Sequence, residues 1–146
     1  MDKDAWYTPI EIIRSLGDFD LDVACDSQCQ NETAKKRFTP DDDGLLQSWH
    51  GRVWCNPPFS NVVPWVSRMI DHGDGVLFVF ARSDAIWFQR AVSASGMCLL
   101  IAGRTTFGRP DGTKSRCPLG CALIPFGERN LIAVEKCGVR GLLLQS

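Results

Sequence analysis

Arg52-Val53-Trp54-Cys55-Asn56-Pro57-Pro58-Phe59 is the stretch on which the fold turns. Its first four residues carry the β-branched and aromatic side chains of a strand, and two consecutive prolines must end that strand, because proline has no amide hydrogen for a ladder. Pro64 then marks the first turn of a helix carrying Trp65, Val66, Met69 and Ile70, closed by Gly73-Asp74-Gly75. The apolar run Val76 to Ala81 predicts the next strand. Strand, turn, helix and strand in this order make the repeating unit of a parallel α/β sheet.

Toward the amino terminus, Thr8-Pro9-Ile10-Glu11 predicts a helix start, with Thr8 capping, Pro9 in the first turn and Glu11 closing a capping box. Gly17 stops that helix after Leu16. Phe19 to Ala24 alternates apolar and acidic residues as a first strand, with acids clustered at its end, and Asp26 to Lys36 predicts loop plus a short helix. Thr39 to Gly44 is turn-forming. Toward the carboxyl terminus, Ser83-Asp84 predicts the cap of a helix with Ile86, Trp87, Ala91 and Ala94 inward. Met97 to Ala102 and Cys121 to Phe126 predict two strands joined by a Gly-rich basic loop from Gly103 to Gly120, and Leu131 to Val134 predicts an edge strand. The expected fold is one α/β domain over residues 1–146, with a mostly parallel sheet and an antiparallel C-terminal hairpin.

At 146 residues and 45% hydrophobic composition the chain can bury a full core. No apolar run reaches membrane-span length and Met1-Asp2-Lys3-Asp4 has no signal-peptide pattern, so a soluble protein of the cytoplasm is expected, without a membrane partner. Seven cysteines, an odd number, argue for reduced thiols. Cys25 with Cys29, and Cys117 with Cys121, have a spacing compatible with zinc, but small buried side chains explain them as well, and no metal is expected. Net charge is −1, yet residues 1–50 hold eleven acids and five bases while residues 51–146 hold six acids and eleven bases. That asymmetry points to an acidic half facing a cation and a basic half facing phosphates, or to ordinary solvated surface.

Asn56-Pro57-Pro58-Phe59 carries the most specific chemistry. The lone pair of a nucleobase amine is delocalised into its ring, so the amine is a poor nucleophile. An amide oxygen on Asn56 and the carbonyl of Pro57 can accept its two N–H groups and draw the nitrogen toward tetrahedral geometry. Pro58 stiffens the turn, and Phe59 offers a π-face for a base that has left its stack. The alternative is a rigid turn plugged by an aromatic ring.

With these residues in place, the chain resembles the small phage-type DNA N-6-adenine methyltransferases, within the amino-methyltransferases that carry an (Asp/Asn)-Pro-Pro-(Tyr/Phe/Trp) motif. The resemblance covers about residues 5–127, through Trp6-Tyr7-Thr8-Pro9, Asp20 to Cys25, Asp42-Asp43-Gly44-Leu45, Trp49-His50-Gly51, Asn56 to Ser60, Trp65-Val66, Gly103 to Gly108 and Ala122 to Gly127. It implies a reduced Rossmann-like methyltransferase domain, S-adenosylmethionine as methyl donor and adenine in DNA as target. It also implies that Trp6, Tyr7 and Thr8 line the cofactor pocket, that Asp22 and Ala24 form its floor, that Asn56 borders it, and that Asp43, or its neighbour Asp42, accepts the cofactor's adenine amine. Asp20 to Ser27 lacks the Gly-x-Gly turn usual in methyltransferases, and Asp20-Leu21-Asp22 matches a ribose-binding strand as an alternative. Arg82 and the loop bases Arg104, Arg109, Lys114 and Arg116 are the DNA-binding candidates, on a loop expected to order on DNA. Other readings of the same residues are methylation of an RNA base or a protein glutamine, a catalytically inactive nucleic-acid-binding module of this fold, and a zinc-stabilised module.

Overall fold

The computed structural model describes residues 7–27 and 32–146. In chain order the elements are α1 (Ile10–Ser15), β1 (Leu21–Asp22), β2 (Lys36–Arg37), β3 (Val53–Cys55), α2 (Val63–His72), β4 (Gly75–Phe80), α3 (Ile86–Ser95), β5 (Met97–Ile101), β6 (Thr106–Gly108), β7 (Lys114–Arg116), β8 (Cys121–Phe126), α4 (Glu128–Lys136) and β9 (Gly141–Gln145). Seven strands form one sheet in the order β2-β1-β3-β4-β8-β5-β9, and β6 pairs with β7 as a separate antiparallel hairpin. β1 to β5 all run in one direction; β8, wedged between β4 and β5, and β9 at the edge run against them. The expected mostly parallel sheet with an antiparallel C-terminal part is therefore present.

Alternation along the central strands builds two cores. Val53, Cys55, Leu77, Val79, Ala122 and Ile124 face Trp65, Val66 and Met69 of α2 and Phe88 and Ala91 of α3. Trp54, Val76, Phe78, Cys121 and Leu123 face the other way, toward Ile13 and Leu16 of α1 and Val134 of α4. Strands buried on both faces need helices on both, and the chain supplies two for each. Among the described residues no helix is long and apolar enough to cross a membrane.

Several local expectations fail for identifiable reasons. α1 is capped at Pro9 with no side-chain hydrogen bond, so Thr8 does not cap it. Ala85, in extended geometry, precedes α3, so Ser83-Asp84 is not its cap, and Ile86 is 84% exposed. Its inner face is Phe88 and Ala91, while Ala94 is exposed. Leu131 to Val134 lies inside α4, since a short apolar run does not distinguish strand from helix and only Val134 of it is buried. The edge strand is β9 instead. The basic loop folds as the β6–β7 hairpin, where the Asp111 carboxylate accepts the backbone N–H (2.9 Å) and hydroxyl (2.5 Å) of Thr113. The short helix expected within residues 26–36 has no counterpart among the described residues, where Lys36–Arg37 is strand.

Candidate active site

β1 lies between β2 and β3, so consecutive chain segments leave it on opposite sides. The carboxyl ends of the strands at such a switch point leave a crevice, because the connections diverge. Asp22 pairs in register with Trp54, which brings the residues after β1 beside Asn56, the first residue after β3. Since β2 lies outside β1, Asp20-Leu21-Asp22 is the inner strand at this switch point and Lys36–Arg37 the next one out.

Two cavities open there, and Asn56 and Asn61 line both. The first, about 390 Å³, is walled by Ala24, Asp26, Thr39, Asp43, Gly44, Pro58 and Trp65, among others. Asp43 adopts a left-handed φ of 54°, and its carboxylate accepts the N–H of Leu45 at 3.2 Å. Asp42, the alternative, turns its carboxylate to the N–H (2.9 Å) and hydroxyl (3.2 Å) of Thr39 and does not line the cavity. A Cβ on Gly44 would stand 2.0 Å from the Val23 carbonyl oxygen, so only glycine lets the loop approach β1 this closely. The loop is pinned from behind: Trp49 donates to the Gly44 carbonyl at 2.8 Å, and Arg68 donates to Leu45 (2.7 Å) and lies over the Trp49 ring.

Asp22 occupies a different position from the one the sequence suggests. It is 3% exposed and absent from the cavity wall; its carboxylate accepts the Thr33 hydroxyl and the Ala24 N–H. Burial pushes its pKa up to about 6 against the lowering effect of those hydrogen bonds. Asp26, four residues on, is the acid after β1 that faces the cavity together with Asp43, and its Oδ1 accepts the Tyr7 hydroxyl at 2.9 Å. Tyr7 and Thr8 do not line this cavity; they reach it through partners, Tyr7 through Asp26 and Thr8 through Asn56, whose Nδ2 donates to the Thr8 hydroxyl at 3.1 Å. Trp6 lies outside the described residues.

S-adenosylmethionine carries an ammonium and an adenine amine, donors that suit Asp26 and Asp43, and acceptors that suit an indole N–H. The Trp65 Nε1–H is buried and has no hydrogen-bond partner among the described residues. The wall thus offers acceptors for both donors of this ligand, and Trp65, whose indole N–H is buried without a partner among the described residues, packs into the same wall.

The second cavity, about 330 Å³, is lined by Asn56, Pro57, Phe59, Phe80, Arg82, Trp87 and Phe107 among others. Phe59, half exposed at the start of a 3-10 turn (Phe59–Asn61), packs on Phe80 with ring centroids 5.4 Å apart. Phe80 and Trp87 were not singled out in the sequence as site residues. Arg82 is exposed and pairs with Asp84 at 3.4 Å. On the hairpin, Arg104, Lys114 and Arg116 are exposed, whereas Arg109 is 8% exposed and packed into the protein.

Cys117 and Cys121 do meet, Sγ to Sγ 3.8 Å, both buried, and burial beside Cys117 pushes the Cys121 thiol up to about 12. Cys29 lies outside the described residues, among which no group of three or more His, Cys, Asp or Glu gathers as a metal site.

Comparison with known proteins brings these features together. A family model described as DNA N-6-adenine-methyltransferase (Dam) matches residues 1–124. The chain is similar to a DNA N-6-adenine-methyltransferase of Haemophilus phage HP1 (strain HP1c1), 37% identical over 102 residues, covering 62% of this chain and 58% of the relative. It is also similar to a DNA N-6-adenine-methyltransferase of Escherichia phage T1, 31% identical over 100 residues, covering 61% of this chain and 41% of that relative. In both cases the chain spans little more than half, or less, of the relative's length. No solved structure matches.

Proposed function

The chain belongs to the DNA N-6-adenine-methyltransferase (Dam) family, and from that premise we propose that it methylates the exocyclic amine of adenine in DNA, using S-adenosylmethionine. The observation that carries this reading is the position of Asn56, a shared wall between an acidic cavity and an aromatic one. Asp26, Asp43 and Trp65 would hold the donor in the first; bound there, it supplies a methyl group already activated on a sulfonium. Phe59, Phe80 and Trp87 would hold the extruded base in the second, where aromatic faces replace the stacking it leaves behind.

The Asn56 side-chain oxygen and the Pro57 carbonyl then accept hydrogen bonds from the two amine N–H groups, drawing the nitrogen out of conjugation with its ring. Pro57 is buried and Pro58 follows it, so the acceptors are held in place before the base arrives. The exposed cations Arg104, Lys114 and Arg116 on the hairpin favour a polyanion over a protein glutamine as the substrate. Work on DNA assigns the protein to the cytoplasm of a bacterial or phage-infected host.

Incubation with tritiated S-adenosylmethionine and duplex DNA in excess chelator, followed by nucleoside analysis, tests the reading. N6-methyladenine is expected. Methylcytosine, label on protein instead of DNA, or activity that only added metal restores would overturn it.

A further inference from the structure

We propose that Thr8 is a positioning residue for the transfer: its hydroxyl accepts from the Asn56 Nδ2 and holds the carboxamide in place, with the oxygen left for the target amine. The proposal rests on reading the chain as an adenine methyltransferase.

A carboxamide is nearly symmetric in shape and opposite in chemistry at its two ends, one accepting and the other donating two hydrogens. Turned over, Asn56 would present N–H groups to an amine that itself needs acceptors. A threonine hydroxyl can accept or donate; what its bond does is hold the carboxamide plane, and with the Nδ2–H on Thr8 the oxygen is left for the amine. The Asn56 Nδ2 to Thr8 Oγ1 contact is 3.1 Å long, and Thr8 is 6% exposed, so water competes little for it.

An anchor is useful only if it is itself fixed. Tyr7 exchanges two backbone hydrogen bonds with Gly108, 2.9 and 3.0 Å, and its hydroxyl donates to Asp26. On the other side Pro9 has its φ set by its ring, and its carbonyl accepts from Ile12 at 3.0 Å. Thr8 is held between these two, and a β-branched side chain has few χ1 choices. Because Pro9 starts α1 without a side-chain cap, the Thr8 hydroxyl is not drawn into capping, the role its place before a helix would suggest.

The test compares wild type, Thr8→Val, which keeps the shape and removes the hydroxyl, and Thr8→Ser, which keeps the hydroxyl. In Thr8→Val, kcat should fall on the order of 10–100-fold, while cofactor affinity and the KM for DNA stay within about twofold. Thr8→Ser should recover most of the rate. Retention of the wild-type kcat by Thr8→Val, equal impairment of Thr8→Ser, or a loss seen in cofactor affinity would overturn the proposal. A second readout does not depend on turnover: in ¹⁵N-labelled protein the Asn56 side-chain amide should show contacts to Thr8 that Thr8→Val abolishes, with altered amide shifts. If wild type makes no N6-methyladenine, the functional reading falls on that result alone. Asn56 amide resonances insensitive to Thr8→Val would overturn the anchor itself.

Discussion

Among the described residues, the charged side chains in the wall of the cavity beyond β1 are two carboxylates, whereas the cavity across Asn56 is walled by five aromatic residues and has one arginine as its charged side chain. The first repels phosphate and attracts a cation; the second has flat apolar faces and one cation at its edge. A site that must bring a sulfonium to a neutral base needs both environments, and it needs them separated, since an acid beside the base would also repel the DNA backbone. Among the described residues only Asn56 and Asn61, which are polar and uncharged, line both. The largest effect should therefore come from the shared wall. Asn56→Ala is expected to lower kcat by about 10²–10³-fold, the range for losing one preorganised hydrogen-bonding group, while S-adenosylmethionine affinity changes only a few-fold. Single-turnover kinetics with parallel binding measurements check this. A loss confined to cofactor binding would assign Asn56 to the acidic side alone.

Next in size is the acidic wall. Asp26→Ala should weaken S-adenosylmethionine binding by roughly 10–100-fold, the equivalent of losing one hydrogen bond to a charged group, and leave DNA affinity unchanged. Calorimetric titration of each ligand measures it. Equal weakening of both ligands would erase the distinction between the cavities.

How legible this was in the sequence differs between the two halves of the sheet. Around β3 and β4 each boundary is punctuated by a residue with a backbone consequence: Pro57 and Pro58 end a strand, Pro64 starts a helix, and Gly73 adopts a φ of 76° at its end. Those boundaries can be read one residue at a time. Beyond β5 the structure is decided by pairing at long range. β9 pairs Leu142 in register with Leu100, 42 positions earlier, and the short apolar run Leu142-Leu143-Leu144 does not by itself announce that partner. β2 consists of Lys36 and Arg37, two exposed charged residues with no apolar pattern to read. In the candidate site, the Asn-Pro-Pro-Phe loop could be singled out because each residue type has a task in the proposed transfer. Which acid near the end of β1 faces the cavity was not legible: Asp22 closes that strand and Asp26 lies four residues on, and only the turn between them decides which is buried.

Those two acids sharpen the comparison further. The Asp22 pKa is raised to about 6 by burial, from an ordinary value of 3.8. Between those values the folded protein keeps a proton that the unfolded chain has lost, so this group's contribution to stability is present below pH 4 and is lost as pH rises to about 6. Asp22→Asn should remove that slope and stabilise the protein by about 1–2 kcal/mol at pH 7.5, with cofactor affinity unchanged. Urea melts at pH 5 and pH 7.5 report both signs. Weaker cofactor binding with an unaltered stability slope would return Asp22 to the cavity.

The smallest effect per residue is expected on the hairpin, which also offers an internal control. Arg104, Lys114 and Arg116 are exposed, and Arg109 is buried beside them on the same hairpin. If DNA is held there by phosphate contacts, each exposed cation replaced by Gln should reduce the slope of log K against log salt by about 0.9, which is roughly fivefold in affinity at physiological ionic strength. Arg109→Gln should instead lower the melting temperature and leave the slope alone, because a side chain packed into the protein has no phosphate to release counterions from. The pattern matters more than any one value. Three flattened slopes and one unchanged would assign the hairpin to the backbone of the duplex. Four unchanged slopes would leave the hairpin as solvated surface and move the DNA to Lys35, Lys36 and Arg37, on the far side of the acidic cavity from the aromatic one. A base bound among Phe59, Phe80 and Trp87 would then have to reach its pocket past two carboxylates, the arrangement that the separation of the cavities argues against.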